Sequence, residues 1–190
     1  MTSDAPTIFI RFSDSQTAHL GEIVKPALSD QLDYEGELVI IIGKSALNIP
    51  EEKAPEYIAG YSCYMDGSVR DWQHTWFTAG KNWSKTGGFG PCLVTTDEIP
   101  QQLQLQLQLK TWLNGEIDQQ DSTVNMVHSI HKIISYMSTF TQLSPGDVIL
   151  TGSPGGVGRS RNPQVFLNDG DVIEVEIESV GRLTNYVVSA

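Results

Sequence analysis

Strict alternation of apolar and polar residues constrains the fold more than any motif does. LQLQLQLK at 103–110 repeats with a period of two. A strand with one buried face produces that period, whereas a helix of 3.6 residues per turn would scatter the leucines around its circumference. VIEVEIESVG at 172–181 repeats the pattern, with Val172, Val175 and Ile177 among its apolar members, and TNYVVS follows as its expected partner after a turn at Gly181. IFIRF at 8–12, VIII at 39–42, GPCLVT at 90–95 and DVIL at 147–150 read as further strands. Helical periodicity is convincing in one place, NMVHSIHKIISYMSTF, where Met126, Ile130, Ile133, Met137 and Phe140 share a stripe that the LSPGD turn closes. A shorter helix is expected from Pro50 onward, in PEEKAPEYIA. The fold class is therefore α+β, mainly β. Residues 1–190 suit one compact domain, and GGFGP, SPGD and SPGGVG mark tight loops inside it.

Composition excludes several functions. A net charge of −11 with only 12 Lys and Arg supplies no basic stripe for nucleic acid or an anionic membrane surface. No apolar run approaches the roughly 18 residues of a membrane span, and MTSDAPTIFIRF carries no basic, then apolar, leader pattern, so a cytoplasmic protein is expected. Cys63 and Cys92 stand apart without a CxxC and are expected as buried free thiols. TGSPGGVG lacks the GK[ST] ending of a phosphate loop, and no GxGxxG opens a helix.

One stretch is out of character for a strand. DYEGELVIIIGK at 33–44 loads Asp33, Glu35 and Glu37 ahead of a pure core run. Side chains two apart on a strand share a face, so Glu35 and Glu37 would project side by side, roughly 6 to 7 Å apart. At an effective dielectric near 20 their repulsion is about 2 to 3 kcal/mol. The residues alone leave three readings open: a solvated edge, a general acid/base couple, or half of a site for a hard cation. Asp66, in YSCYMDGSVRDWQ, follows an apolar stretch at a strand-to-loop transition. Two Glu and one Asp, with waters, would make an oxygen site suited to Mg²⁺ or Mn²⁺.

DYEGELVIIIGK, AGYSCYMDGSVRDWQ, TAGKNW, GGFGPCLVTTDEIP, LSPGDVILTGSPGGVG and LNDGDVIEVEIESVGRLTN together resemble the ordered signature blocks of the fumarylacetoacetate hydrolase family. The resemblance implies the mixed β-sandwich roll of that family's C-terminal domain, usually as a homodimer. It implies a divalent cation, usually Mg²⁺, held by Glu35, Glu37 and Asp66. Arg70 and Gln73 fall on positions used around the substrate, Lys81 on a lysine next to the metal, and Ser153 where many relatives carry a threonine that contacts the substrate carboxylate. A 2-oxo or diketo acid would chelate the cation, which would stabilise the developing enolate or oxyanion. Lys81 would add a fixed positive charge, and Arg70 would hold the carboxylate by a bidentate fork. Outside the family pattern, Arg70 beside Asp71 would read as a surface pair and Lys81 as a solvated lysine.

The expected activity is metal-dependent hydrolysis of a C–C bond in a small 2-oxo or diketo dicarboxylic acid. Isomerisation or decarboxylation in aromatic-compound breakdown is the alternative. Relatives usually begin with a strand and a lid helix bearing a His and a Glu, and TIFIRFSDSQ, from residue 7, resembles the segment after that lid. The matching domain is thus expected without its usual leading segment, and a catalytically impaired metal-binding domain is the rival expectation. His19 with Glu22 imitates the His–Glu spacing but lies on a loop. His128 and His131, at i and i+3, are expected in solvated or capping roles, and His74 follows Gln73 in a stretch shortened relative to the family.

Overall fold

The structure, a computed structural model, describes residues 5–100 and 106–190. Its strands run in chain order as β1 (Gln16–Ala18), β2 (Glu22–Lys25), β3 (Leu32–Asp33), β4 (Gly36–Ile42), β5 (Ile58–Asp66), β6 (Ser68–Val69), β7 (Gly87–Thr95), β8 (Gln108–Leu113), β9 (Glu116–Ser122), β10 (Val148–Leu150), β11 (Val172–Ile177) and β12 (Gly181–Ser189). Two short helices join them, α1 (Thr78–Lys81) and α2 (Ile130–Ser138). One five-stranded sheet has the order β1-β7-β5-β4-β10 and the other β2-β12-β11-β8-β9, with β3 and β6 paired separately. Both large sheets are mixed, because β1 lies parallel to β7 and β2 parallel to β12 while the remaining pairs are antiparallel.

The alternating segments behave as strands should. Val175 and Ile177 of β11 pack inward with Leu183 and Val187 of β12, while Glu174 and Glu176 point outward to Arg182. Leu38, Ile40 and Ile42 of β4 meet this layer from the first sheet, and Ile130, Ile133 and Ile134 of α2 join the same core. The other face of β4 is also covered, since Val39 and Ile41 pack with Tyr64, Phe89 and Leu150. That two-sided burial explains an uninterrupted VIII run where a half-exposed strand would alternate. No helix among the described residues is long and apolar enough to cross a membrane.

Several expectations shift. The first residues of LQLQLQLK, 103–105, lie outside the described residues, Gln106 and Leu107 precede β8, and Gln108, Leu109 and Lys110 open it. IFIRF is not a strand: Asn82 occupies the backbone groups a ladder would use, taking the Phe12 N–H at 2.6 Å and donating to the Ile10 carbonyl at 2.9 Å. The principal helix begins at Ile130 and not near Asn125, because Ser129 caps it by accepting the Lys132 N–H. Phe140 therefore falls beyond its end and is exposed. The Pro50 segment forms a 3₁₀ helix over Glu51–Tyr57, with Pro50 just ahead of it. Cys63 is buried as expected, but Cys92 is exposed, lying where β7 leaves the core.

Ile40, central in β4 and wholly enclosed, gives a direct check of this packing. Ile40→Ala should lower unfolding free energy by about 2 to 5 kcal/mol in urea titrations, whereas Val148→Ala on the adjacent but half-exposed β10 should cost far less. Equal losses would contradict the two-faced core.

Candidate metal centre

The fold brings three separated acids to one point. Glu35 lies in the break between β3 and β4, Glu37 is the second residue of β4, and Asp66 ends β5, the antiparallel neighbour of β4. One carboxylate oxygen from each lies within 4.8 Å of the others. Asp66 and Glu37 are buried and Glu35 is half-buried. Gly67 permits the turn after Asp66, because a Cβ there would stand 1.8 Å from the Thr86 carbonyl oxygen.

Three cations are drawn into the cluster. Lys81, at the end of α1, donates to Glu35 and Asp66 at 2.5 Å each. Arg70 opens a 3₁₀ turn, with its Nε on Asp33 at 2.7 Å, one terminal nitrogen on Glu35 at 2.7 Å and the other on the Gln73 side-chain oxygen at 2.9 Å. Arg11 reaches Asp66 at 2.6 Å. Neither surface reading of these residues holds: Lys81 is 1% exposed, and Arg70 turns inward while Asp71 accepts from Ser29. Asp33, Glu35 and Gln73 each take one guanidinium nitrogen of Arg70.

Sequence reasoning missed two of the participants. Arg11 carried a visible signal, a lone charge inside the apolar IFIRF. Asp33 had been noted only as one of three crowded carboxylates. Fully enclosed, it accepts from the backbone N–H groups of Tyr34, Gly158 and Arg159 as well as from Arg70, so it joins the acid segment to the glycine-rich loop.

Four acidic side chains (Asp33, Glu35, Glu37, Asp66) meet three cations (Arg11, Arg70, Lys81), leaving an excess of one carboxyl group. It falls on Glu37, which makes no ion pair among the described residues and accepts from the Gly152 N–H at 2.9 Å. Burial, then Asp66 and Glu35, push the Glu37 pKa up to about 8. For Glu35 burial works in the same direction, but Lys81 and Arg70 overcome it and hold its pKa below the usual value. Burial also outweighs Lys81 and Arg11 at Asp66, whose pKa is raised. Burial alone would lower the pKa of Lys81, yet Asp66, Glu35 and Glu37 raise it, so the ammonium stays charged. Three hard oxygen donors, one of them free of any ion pair among the described residues, suit a divalent cation such as Mg²⁺ or Mn²⁺.

A cleft of about 1050 Å³ opens over the cluster, lined by Glu35, Glu37, Arg70, Gln73, Lys81 and Ser153 among others. All four expected substrate-side residues thus face one space, with Asp66 sealed beneath. Ser153 stands on the loop after β10, one residue beyond Gly152. His19 is elsewhere, accepting the Thr184 N–H at 3.1 Å, and His74 is exposed. His128 and His131 are half-buried and neither caps α2; His128 lines a far wall of the cleft.

Glu37 makes the metal-free protein sensitive to pH. Its folded pKa lies above the usual 4.5, so the folded chain keeps a proton that the unfolded chain releases. This contribution to stability is complete below pH 4.5 and is lost as pH rises towards 8. Urea titrations in EDTA should show that decline, and Glu37→Gln should flatten it; an unchanged slope in the variant would assign the proton elsewhere.

The fumarylacetoacetate (FAA) hydrolase C-terminal family model matches residues 1–188. Oxaloacetate tautomerase YisK of Bacillus subtilis (strain 168) is 39% identical over 186 residues, covering 96% of this chain and 61% of its own. A crystal structure of fumarylacetoacetate hydrolase from Exiguobacterium antarcticum superposes with a TM-score of 0.89 at 40% identity, covering 93% of this chain and 64% of that one. Maleylpyruvate hydrolase from Sphingobium sp. SYK-6, in complex with manganese(II) and pyruvate, superposes with a TM-score of 0.85 at 30% identity, covering 96% and 64%. The chain spans 63% of the length of its Dictyostelium discoideum relative, about as much as of the Bacillus protein. By sequence and by fold, the chain belongs to the fumarylacetoacetate hydrolase family.

Proposed function

We propose that this chain carries the metal centre of an enzyme that shifts a small 2-oxo dicarboxylic acid between its keto and enol forms. The observation that carries the reading is the gathering of Glu35, Glu37 and Asp66, one of them without an ion-pair partner among the described residues, beside a buried charged lysine. Those three residues would hold Mg²⁺ or Mn²⁺. The cation, when bound, supplies Lewis acidity to the oxygens of a 2-oxo acid.

The rest of the chemistry belongs to side chains. Lys81 stays protonated, so it acts as a fixed positive charge where negative charge develops on the substrate, and not as a base. Glu35 and Asp66 orient that ammonium from two sides. Arg70, with its three nitrogens engaged, holds Glu35 and Gln73 in place and contributes positive potential to the cleft. Ser153 offers a hydroxyl at the cleft wall for the substrate carboxylate. Tautomerisation fits the relatives named oxaloacetate tautomerase, and it demands only charge stabilisation and proton movement at carbon. Hydrolytic C–C cleavage is the second reading, favoured by the structural neighbours described as hydrolases. With this function goes a homodimer, as the family resemblance implies.

The decisive assay follows loss of enol absorbance for oxaloacetate, with acetylpyruvate and fumarylpyruvate tested in parallel for cleavage. Mg²⁺ or Mn²⁺ should support enol turnover, EDTA should remove it, and Asp66→Asn or Lys81→Met should lower kcat/KM by about 100-fold or more. Full turnover in EDTA, or by Asp66→Asn, would overturn the proposal; faster cleavage of the diketo acids would favour the hydrolytic reading.

A further inference from the structure

We propose that Gln119 is a positioning residue that locks the backbone bearing Glu35 and Glu37 to the loop bearing Ser153. The proposal rests on the function just stated and extends it to a residue outside the charge cluster. Gln119 lies in β9, in the other sheet, and is 1% exposed. Its side-chain oxygen accepts the Gly36 N–H at 2.9 Å, and its side-chain nitrogen donates to the Pro154 carbonyl at 2.9 Å. Gly36 is the residue between Glu35 and Glu37, and Pro154 follows Ser153. One amide group therefore ties the middle of the acid segment to the loop that presents the hydroxyl.

The surroundings show why an amide is needed. Gly36 lies flush against the second sheet, where a Cβ would stand 2.1 Å from the Thr111 side-chain oxygen. Thr111 is the register partner of Gln119 across β8 and β9, and the pairing is irregular just beyond it. One partner of Gln119 can only donate and the other can only accept, which fixes the orientation of the amide. A glutamate of the same shape would still accept from Gly36, but once ionised it could not donate to Pro154. Two further ties run parallel to this one, Glu37 to the Gly152 N–H and Asp33 to the N–H groups of Gly158 and Arg159. Gln119 is the member that spans from the opposite sheet, so it sets the spacing between ligand segment and loop without touching either cation or substrate.

The test compares wild type with Gln119→Met and Gln119→Glu, using calorimetry with Mn²⁺, enol-turnover kinetics and amide hydrogen exchange. Gln119→Met should weaken Mn²⁺ binding by about 10- to 100-fold. It should raise KM more than it lowers kcat, and it should speed exchange at both Gly36 and Gly152. Its KM effect should also be non-additive with Ser153→Ala. Gln119→Glu, the fallback where the methionine variant does not fold, should speed exchange at Gly152 more than at Gly36. A variant that melts earlier yet keeps wild-type Mn²⁺ affinity, KM and Gly152 exchange would reduce Gln119 to a packing residue and overturn the proposal. Absence of Mn²⁺ binding and turnover in the wild type would instead sink the proposed function, and the exchange data would still decide whether Gln119 couples the two segments.

Discussion

The structure turns on a buried ionic cluster in which carboxyl groups outnumber cations by one. Removing carboxylates and cations from water is expensive, and mutual attraction offsets the cost only where geometry is close and every lone pair finds a donor. Asp33 meets that condition with four donors, and Lys81 meets it between Glu35 and Asp66. Glu37 does not. A protein selected only for stability would place an apolar residue in the second position of β4, as it does at every later position of that strand. The carboxylate stays where the surrounding sheet can tolerate it.

That tolerance comes from the scaffold. β4 is covered on both faces, by the inter-sheet core on one side and by Tyr64, Phe89 and Leu150 on the other, so its course is fixed over seven residues. Antiparallel pairing with β5 then sets Gly36 opposite Met65 and delivers Asp66 to the same end of the sheet. β10 adds the third contribution: its register with Val39, Ile40 and Ile41 leads the chain out at Thr151, directly into the loop that carries Ser153. Three strands of one sheet thus terminate their ordered stretches around one point. The second sheet holds that point from below through Gln119 and Asp118, the latter accepting from Tyr34 at 2.6 Å and pairing with Arg161 at 2.8 Å.

Much of this was legible in the residues. Period-two alternation identified β11 and β12, the VIII run marked β4, and the family pattern placed Glu35, Glu37, Asp66, Arg70, Gln73, Lys81 and Ser153, which the fold gathers around a single cleft. The misses share a cause. IFIRF has strand-like composition, but whether an extended segment joins a ladder depends on a side chain 70 residues away, Asn82. Arg11, Asp33 and Gln119 act through partners 55, 125 and 83 residues distant, and no local pattern encodes such pairings. Local capping and turn chemistry were readable only to within a few residues, as the displaced start of α2 shows.

The excess of carboxyl groups over cations also bears on the binding events that the proposed function requires. A 2-oxo dicarboxylic acid is an anion, and this chain carries a net charge of −11 with the unpaired Glu37 lining the cleft. Lys81 and Arg70 are already paired with Glu35, Asp66 and Asp33, which reduces the net positive potential they offer an anion. Without an added cation, the cleft therefore has little net positive charge for the substrate. Under the proposed function, a divalent cation would add positive charge there, and each ligand would then raise the affinity for the other by the same factor. On that reading Glu37, which makes no ion pair among the described residues, would be the residue that ties acid recognition to the metal.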